Sequence, residues 1–382
     1  MKILFTVSTY YPLADGVQTV TEYEAEELVN LGHDVTVVTE KRFGLSSDEI
    51  HNGVHIIRVD VSTKHTFFVG KKKEYRTLLI KLCSQIDCMI NVCTQTATTE
   101  LAFSILNQIS CKKILYMHGM FDFKWHLNDV KSISSFLHKS WDSVRWWFHY
   151  KFSKKYIEKY DAIIHLHEML NSSIFCKKHY NVKNYVVNNS ANDSFFNDKN
   201  SFKNRENYAI CVANYSPLKN QEFVLKAFYK AKTDISLVLI GSKKNEYYEK
   251  LCRLKKKLDH LYGERKVRLL YNIPRNEIAD YVKGSTLYLF GSKIEMFPLS
   301  IVESMAAKIP FISTDVGIVR YFPGGRIIQS VTEMACWIDL LSQNNSVREF
   351  MGKSGYSYAI KKFSIENNVT KMNKILYEVT KQ

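Results

Sequence analysis

In the stretch SKIEMFPLSIVESMAAKIPFIST, Ser292 to Thr314, Glu295 stands in a loop and Glu303 eight positions later in a segment that reads as a helix. A Phe-Pro-Leu turn separates them. Glu295 follows an apolar, strand-like run, TLYLFGS, and Pro298 suits the first turn of a helix. Leu299 and Ser300 then present free backbone N–H groups at the helix start, where the aligned peptide dipoles favour phosphate oxygens. Two solvated glutamates near a helix start would show the same spacing, so the spacing alone decides nothing.

Three further residues have the chemistry and position to join them. Lys219, in VANYSPLKNQEFVLKAF, lies between a strand and a helix, where one ammonium can neutralise a departing diphosphate. The same lysine also reads as simply exposed. Gly16 opens a helix after the first strand and lets backbone approach a phosphate, although no G-x-G-x-x-G follows and an ordinary tight turn reads the same way. His118 ends the strand ILYMHG, where its neutral ring can hydrogen-bond a ligand hydroxyl or be satisfied by local backbone.

The elements that must hold these residues alternate between strand and helix. KILFTVS, from Lys2 to Ser8, is an apolar strand, followed by a helix with Val17, Val20, Leu28 and Leu31 on a 3.6-residue period. Gly32 sits where a helix C-terminal glycine belongs, and HDVTVVT starts a second buried strand, which completes a βαβ unit. The runs VHIIRV, CMINVC, KILYMHG and DAIIHLH extend this into a doubly wound domain over 1–188. A polar stretch over 189–207 reads as a linker. YAICVAN, SLVLIG, KVRLLYN, TLYLFGS and IPFIST then make a second α/β domain over 208–364, with a C-terminal helix over 365–382 expected to pack back on the first domain. Two Rossmann-like doubly wound parallel-sheet domains facing a central cleft are the expected fold.

A chain of 382 residues with 46% hydrophobic and 24% charged residues can bury two cores, which excludes disorder as the default. The net charge of +15 calls for an anionic partner or substrate. No apolar run approaches the roughly 18 residues of a membrane span, and the first residues lack a signal peptide core, so a cytoplasmic location is expected. Eight cysteines spread over this length read as buried thiols. Cys83, Cys88 and Cys93 recur every five residues, which is not zinc spacing, so no metal is expected.

The block SKIEMFPLSIVESMAAKIPFISTDVG resembles the signature of the retaining, GT-B fold glycosyltransferases of family 4. The resemblance runs over nearly the whole chain, through YYPLADGVQ, LGHDVTVVT, YMHG, VVNNSAND and VANYSPLKN in family order. It implies transfer of a hexosyl group from a UDP- or GDP-sugar, with retention, to a saccharide or lipid-linked acceptor of the kind used in bacterial surface polysaccharide synthesis. It implies that Glu303 bonds the ribose hydroxyls, that Glu295 contacts the donor sugar, and that backbone of Phe297, Leu299 and Ser300 holds the diphosphate or sugar. It further implies that Lys219 neutralises the leaving group, that Gly16 approaches the donor phosphate and that His118 faces the reaction centre. The family arginine before Lys219 is replaced here by Asn214, with Arg320 and Arg275 as other cations within reach of the idea. No Asp-x-Asp is present, so a metal-bound diphosphate is not indicated and no cofactor is implied.

Between Lys124 and Lys159, eight Lys or Arg stand against three Asp or Glu, interleaved with tryptophans. On a helical wheel Leu137, Trp141, Val144 and Phe148 form one stripe, expected in the core. Trp146 and Tyr150 then point outward near Lys139 and Lys154, as on an interfacial helix that meets anionic lipid on the inner face of a membrane. A helix buried on both sides with a solvated basic edge fits as well. Two other classes stay open: a related binding subunit that has lost transfer activity with the arginine, and a nucleic-acid-binding protein, although no such module is visible.

Overall fold

The computed structural model describes the 382 residues except 14–15, 65–66, 126–129, 131, 198–206 and 382. Two compact units result: Met1–Asn188 with Val369–Gln382, and Asn189–Asn368.

In the first unit, short apolar runs form the strands β1 (Lys2–Val7), β2 (Asp34–Glu40), β3 (Asp48–His51), β4 (Val54–Val59), β5 (Val61–Lys64), β6 (Phe67–Gly70), β7 (Cys88–Val92), β8 (Lys112–Met117), β9 (Ala162–His165) and β10 (Lys183–Val186). Eight of them make one sheet in the order β10-β9-β8-β7-β1-β2-β4-β3, parallel except where β3 meets β4. β7 and β9 are buried at every residue, as expected of parallel strands covered on both faces. Strand order reverses between β1 and β7, so the loops leaving their carboxyl ends diverge and open a crevice there.

The helix after β1, Gly16–Asn30, ends in paired turns: Gly32 N–H donates to Val29 and His33 N–H to Leu28, with Gly32 at φ +85°. That left-handed position is the reason for a glycine. Leu31 falls past the helix end and is half exposed, which corrects its expected place on the buried stripe.

In the second unit β11 (Tyr208–Val212), β12 (Ser236–Gly241), β13 (Val267–Tyr271), β14 (Leu287–Phe290), β15 (Phe311–Thr314) and β16 (Gly325–Ile328) form an all-parallel sheet in the order β13-β12-β11-β14-β15-β16. Here the order reverses between β11 and β14. The polar stretch expected as a linker begins inside this unit: Ala191 pairs with Ser364, and Asp193–Phe196 is helical. Its residues 198–206 lie outside the described residues. The last helix, Ile365–Thr380, joins the first unit from Val369 onward. There Val369, Met372, Leu376 and Val379 are buried, His33 bonds Asn373 at 2.9 Å, and Lys183 pairs with Glu378 at 2.5 Å.

The long helix Ile133–Ile157 is turned opposite to expectation. Tyr150 is 1% exposed and takes a hydrogen bond from Gln95, and Trp146 packs on the core beside Phe121. Lys139 is drawn inward too, its ammonium donating to the Asp122 carbonyl and lying 4.6 Å from the Phe121 ring centre. Leu137, Trp141, Val144 and Phe148, expected in the core, are exposed. The reason is the partner offered by the rest of the unit: Phe121, Phe123 and Phe175 line a pocket that a flat aromatic with a hydroxyl fills. Of the four residues expected on the outer face, only Lys154 is exposed, and it pairs with Glu158 at 3.5 Å.

Candidate functional site

The reversal of strand order between β11 and β14 sets the second-unit site, because two loops leave adjacent strand ends in different directions. They are tied to one another. Asn220, in the left-handed conformation at φ +53°, donates from its side chain to the Gly291 carbonyl at 3.0 Å. Lys293 N–H donates to Leu218 at 2.8 Å. At the strand ends the Tyr288 hydroxyl both accepts from Val212 N–H and donates to its carbonyl. With the loops held this way, the Lys219 ammonium meets the Glu295 carboxylate at 2.5 Å. Both side chains keep partial access to solvent.

A third loop closes on the second. Gly317, at φ +53°, lies so near the carbonyls of Glu295 and Met296 that a Cβ there would stand 2.3 Å from one of them. Thr314 hydroxyl donates to the Ser292 carbonyl at 2.6 Å. The Phe297 ring is buried among Phe322 and Phe363, and its carbonyl accepts from the Asn189 side chain at 3.5 Å. Pro298 is the cap of the helix Leu299–Ala306 rather than part of its first turn, and no side chain caps it. The first amides of the helix, those of Leu299 and Ser300, therefore face outward from its start. The Ser300 side chain lies near the Tyr288 hydroxyl, at the helix start.

Glu303 lies on the next turn of that helix. Burial raises its carboxyl from 4.5 to about 7, and the nearby Arg275 charge opposes the rise. Of the cations considered beside Lys219, Arg275 thus acts on Glu303, while Arg320 is held by both oxygens of Asp315. Asn214 is exposed, and its carbonyl accepts from the Gln221 side chain at 3.1 Å. A separate open depression, bordered by Arg320, Arg326 and Glu333, contains Arg320 but not Lys219, Glu295 or Glu303.

In the first unit Gly16 is the first residue of its helix and is exposed, while Asp15 lies outside the described residues. His118 follows β8 and is buried, its ring 4.4 Å from that of Tyr116. The Tyr116 hydroxyl donates to Glu24 at 2.9 Å, and Glu24 is fully buried with its carboxyl raised to about 8. Sequence reasoning missed Glu24. The signal was present, since it falls on the same helical stripe as Val20 and Leu28, where a carboxylate is out of place. His167, another strand-end histidine, accepts from the Met169 N–H at 3.1 Å. Among the described residues Glu22, Glu26 and His51 approach as a metal site would, but His51 stacks on Tyr11 and Glu26 accepts from Asn52.

Two family models match the chain: Glycosyltransferase Family 4 over 14–187 and Glycosyl transferases group 1 over 192–323. An uncharacterised glycosyltransferase of Haemophilus influenzae is 25% identical over 346 residues, 87% of this chain and 88% of its own. Among solved structures, sucrose-phosphate synthase from Thermosynechococcus elongatus matches with a TM-score of 0.75 at 15% identity, over 99% of this chain and 98% of that one. Anabaena HepE, solved in complex with UDP-glucose, matches with a TM-score of 0.72 at 12% identity, over 99% and 100%. These likenesses give the fold as GT-B, with two Rossmann-like parallel-sheet domains. The chain belongs to the group 1 glycosyltransferases, with a family 4 N-terminal part.

Proposed function

We propose that the protein is a retaining hexosyltransferase that uses a UDP- or GDP-sugar and passes the sugar to a saccharide or lipid-linked acceptor in bacterial surface polysaccharide or glycolipid synthesis. The observation that carries the reading is the Lys219–Glu295 pair at 2.5 Å, set beside an uncapped helix start at the strand-order reversal. The binding of UDP-glucose by HepE supports the class of donor.

In this reading the amides of Leu299 and Ser300 take the diphosphate, and Glu303 accepts hydrogen bonds from the ribose hydroxyls. Phe297 holds its loop through its buried ring. Glu295 accepts from hydroxyls of the donor sugar, and Lys219 stabilises negative charge as it grows on the departing phosphate. Before donor arrives these two groups neutralise one another. Gly16 offers its backbone to a donor phosphate, and His118 hydrogen-bonds a sugar hydroxyl. The bond from the anomeric carbon to the diphosphate breaks and one to the acceptor oxygen forms on the same face. The acceptor proton passes to the leaving phosphate, so no enzymic nucleophile and no metal is required. Work takes place at the cytoplasmic side, on a membrane surface when the acceptor is lipid-linked. Asn214 favours a second reading, since it leaves Lys219 without the family's arginine: a binding subunit that no longer transfers.

The test is a panel of UDP- and GDP-sugars with solubilised membrane lipid, followed by NMR of the product. One donor giving a product of unchanged anomeric configuration is expected. An inverted product excludes the retaining mechanism, and nucleotide binding without product favours the second reading.

A further inference from the structure

The helix Ile133–Ile157 has a second apolar face, opposite the one that packs on the core. Ile133, Leu137, Trp141, Val144, Phe148 and Phe152 recur at steps of three and four, and all six are exposed, Ile133 at 81% and Trp141 at 68%. At 100° per residue they share an arc of roughly 100°. Their exposed area is on the order of 800 Å², above the ~300–600 Å² of the largest patch on an ordinary monomer.

We propose that this face docks on an anionic lipid bilayer. The helix, about 37 Å long, would lie flat in the headgroup region with the six side chains reaching the acyl boundary. Charge complementarity selects this occupant. Lys151 and Lys155 stand on the same arc at its C-terminal end, Lys151 4.7 Å from the Trp147 ring centre. Asp142, the one carboxylate within the helix, is on another side with His138 and Arg145. The nearest carboxylate, Glu158 just past the helix end, is engaged by Lys154 and by the Asn181 N–H, so a second copy docked through the same face would set Lys151 and Lys155 against lysines or against apolar side chains. Lipid phosphates receive them, and long lysine stems let the ammonium groups stay at headgroup level. As a route to a lipid-linked acceptor the proposal rests on the reading above; as a lipid-binding face it does not.

Flotation of the full chain with vesicles tests it, using phosphatidylcholine alone and an equal mixture with phosphatidylglycerol. The protein is expected to float with the anionic vesicles, with a blue shift of tryptophan fluorescence. Trp141→Ser combined with Phe148→Ser should lower binding at least about tenfold. Lys151→Glu with Lys155→Glu should lower it on anionic vesicles only. All four positions are exposed, and circular dichroism checks that the variants fold. Failure of the parent protein to float, or undiminished flotation of the Trp141 and Phe148 variant, overturns the proposal. So does a dimer of the parent protein that this variant converts to monomer without any vesicle binding. Donor hydrolysis without vesicles, expected unchanged in all variants, separates the two readings: lost hydrolysis with intact flotation sinks only the transferase, and the reverse sinks only the docking face.

Discussion

Burial holds the Glu303 carboxyl at about 7, so its charge changes within the range in which enzymes are usually assayed. The folded protein binds that proton more tightly than the unfolded chain does. The resulting stability is complete below pH 4.5 and is lost as pH rises through 7. Glu303→Gln should therefore raise the unfolding free energy read from urea titration by about 1–3 kcal/mol at pH 8, and leave it unchanged at pH 4. Donor binding should show the opposite sense, since the ionised carboxylate is the better acceptor for ribose hydroxyls: the donor KM should rise as pH falls below 7, and this dependence should flatten in Glu303→Gln. A variant with the parent's pH profile on both counts would remove Glu303 from the site. At this scale the sequence singled out Glu303, Lys219 and His118 by their places in a helix start, a strand-to-helix loop and a strand end. It was silent on which partner each would find. Nothing in the spacing says that Lys219 meets Glu295, because that contact depends on Asn220 bridging two loops 71 residues apart.

Loops at the carboxyl ends of β11, β14 and β15 are held by backbone proximity as much as by side chains. Gly317 is the tightest instance, and Gly317→Ala adds a methyl group both in a left-handed conformation and against two carbonyl groups. The substitution should cost at least about 2 kcal/mol and raise the donor KM, because Glu295 moves with those carbonyls. Denaturation together with steady-state kinetics checks both, and an unaffected KM would mean that the loop does not position Glu295. Element type was legible for buried parallel strands, whose apolar runs stand out. β3, β5, β6 and β10 were not, being four-residue strands that are exposed or half-buried at most positions and carry mixed residues. The orientation of Ile133–Ile157 was misread for a physical reason: aromatics line both sides of that helix, and only the pocket formed by Phe121, Phe123 and Phe175 decides which side is buried.

Across the whole molecule, the alternation of strands and helices carried the division into two α/β units, and the family resemblance carried the expected chemistry. Residues Val369–Gln382 belong with the first unit, as the apolar period of the last helix and its partners His33 and Lys183 require. Among the described residues no helix is long and apolar enough to cross a membrane. The central claim is that the second-unit cluster turns over a nucleotide-sugar. Its most direct measurement is nucleotide diphosphate release, by mass spectrometry, from a panel of UDP- and GDP-sugars by the parent protein, Glu303→Ala and Lys219→Ala. Release with one donor is expected, with weaker donor binding in Glu303→Ala and a rate lowered by about 10²–10³ in Lys219→Ala. Release that persists at the parent rate in Lys219→Ala, or none from any donor by a folded parent protein that binds nucleotide, would contradict it.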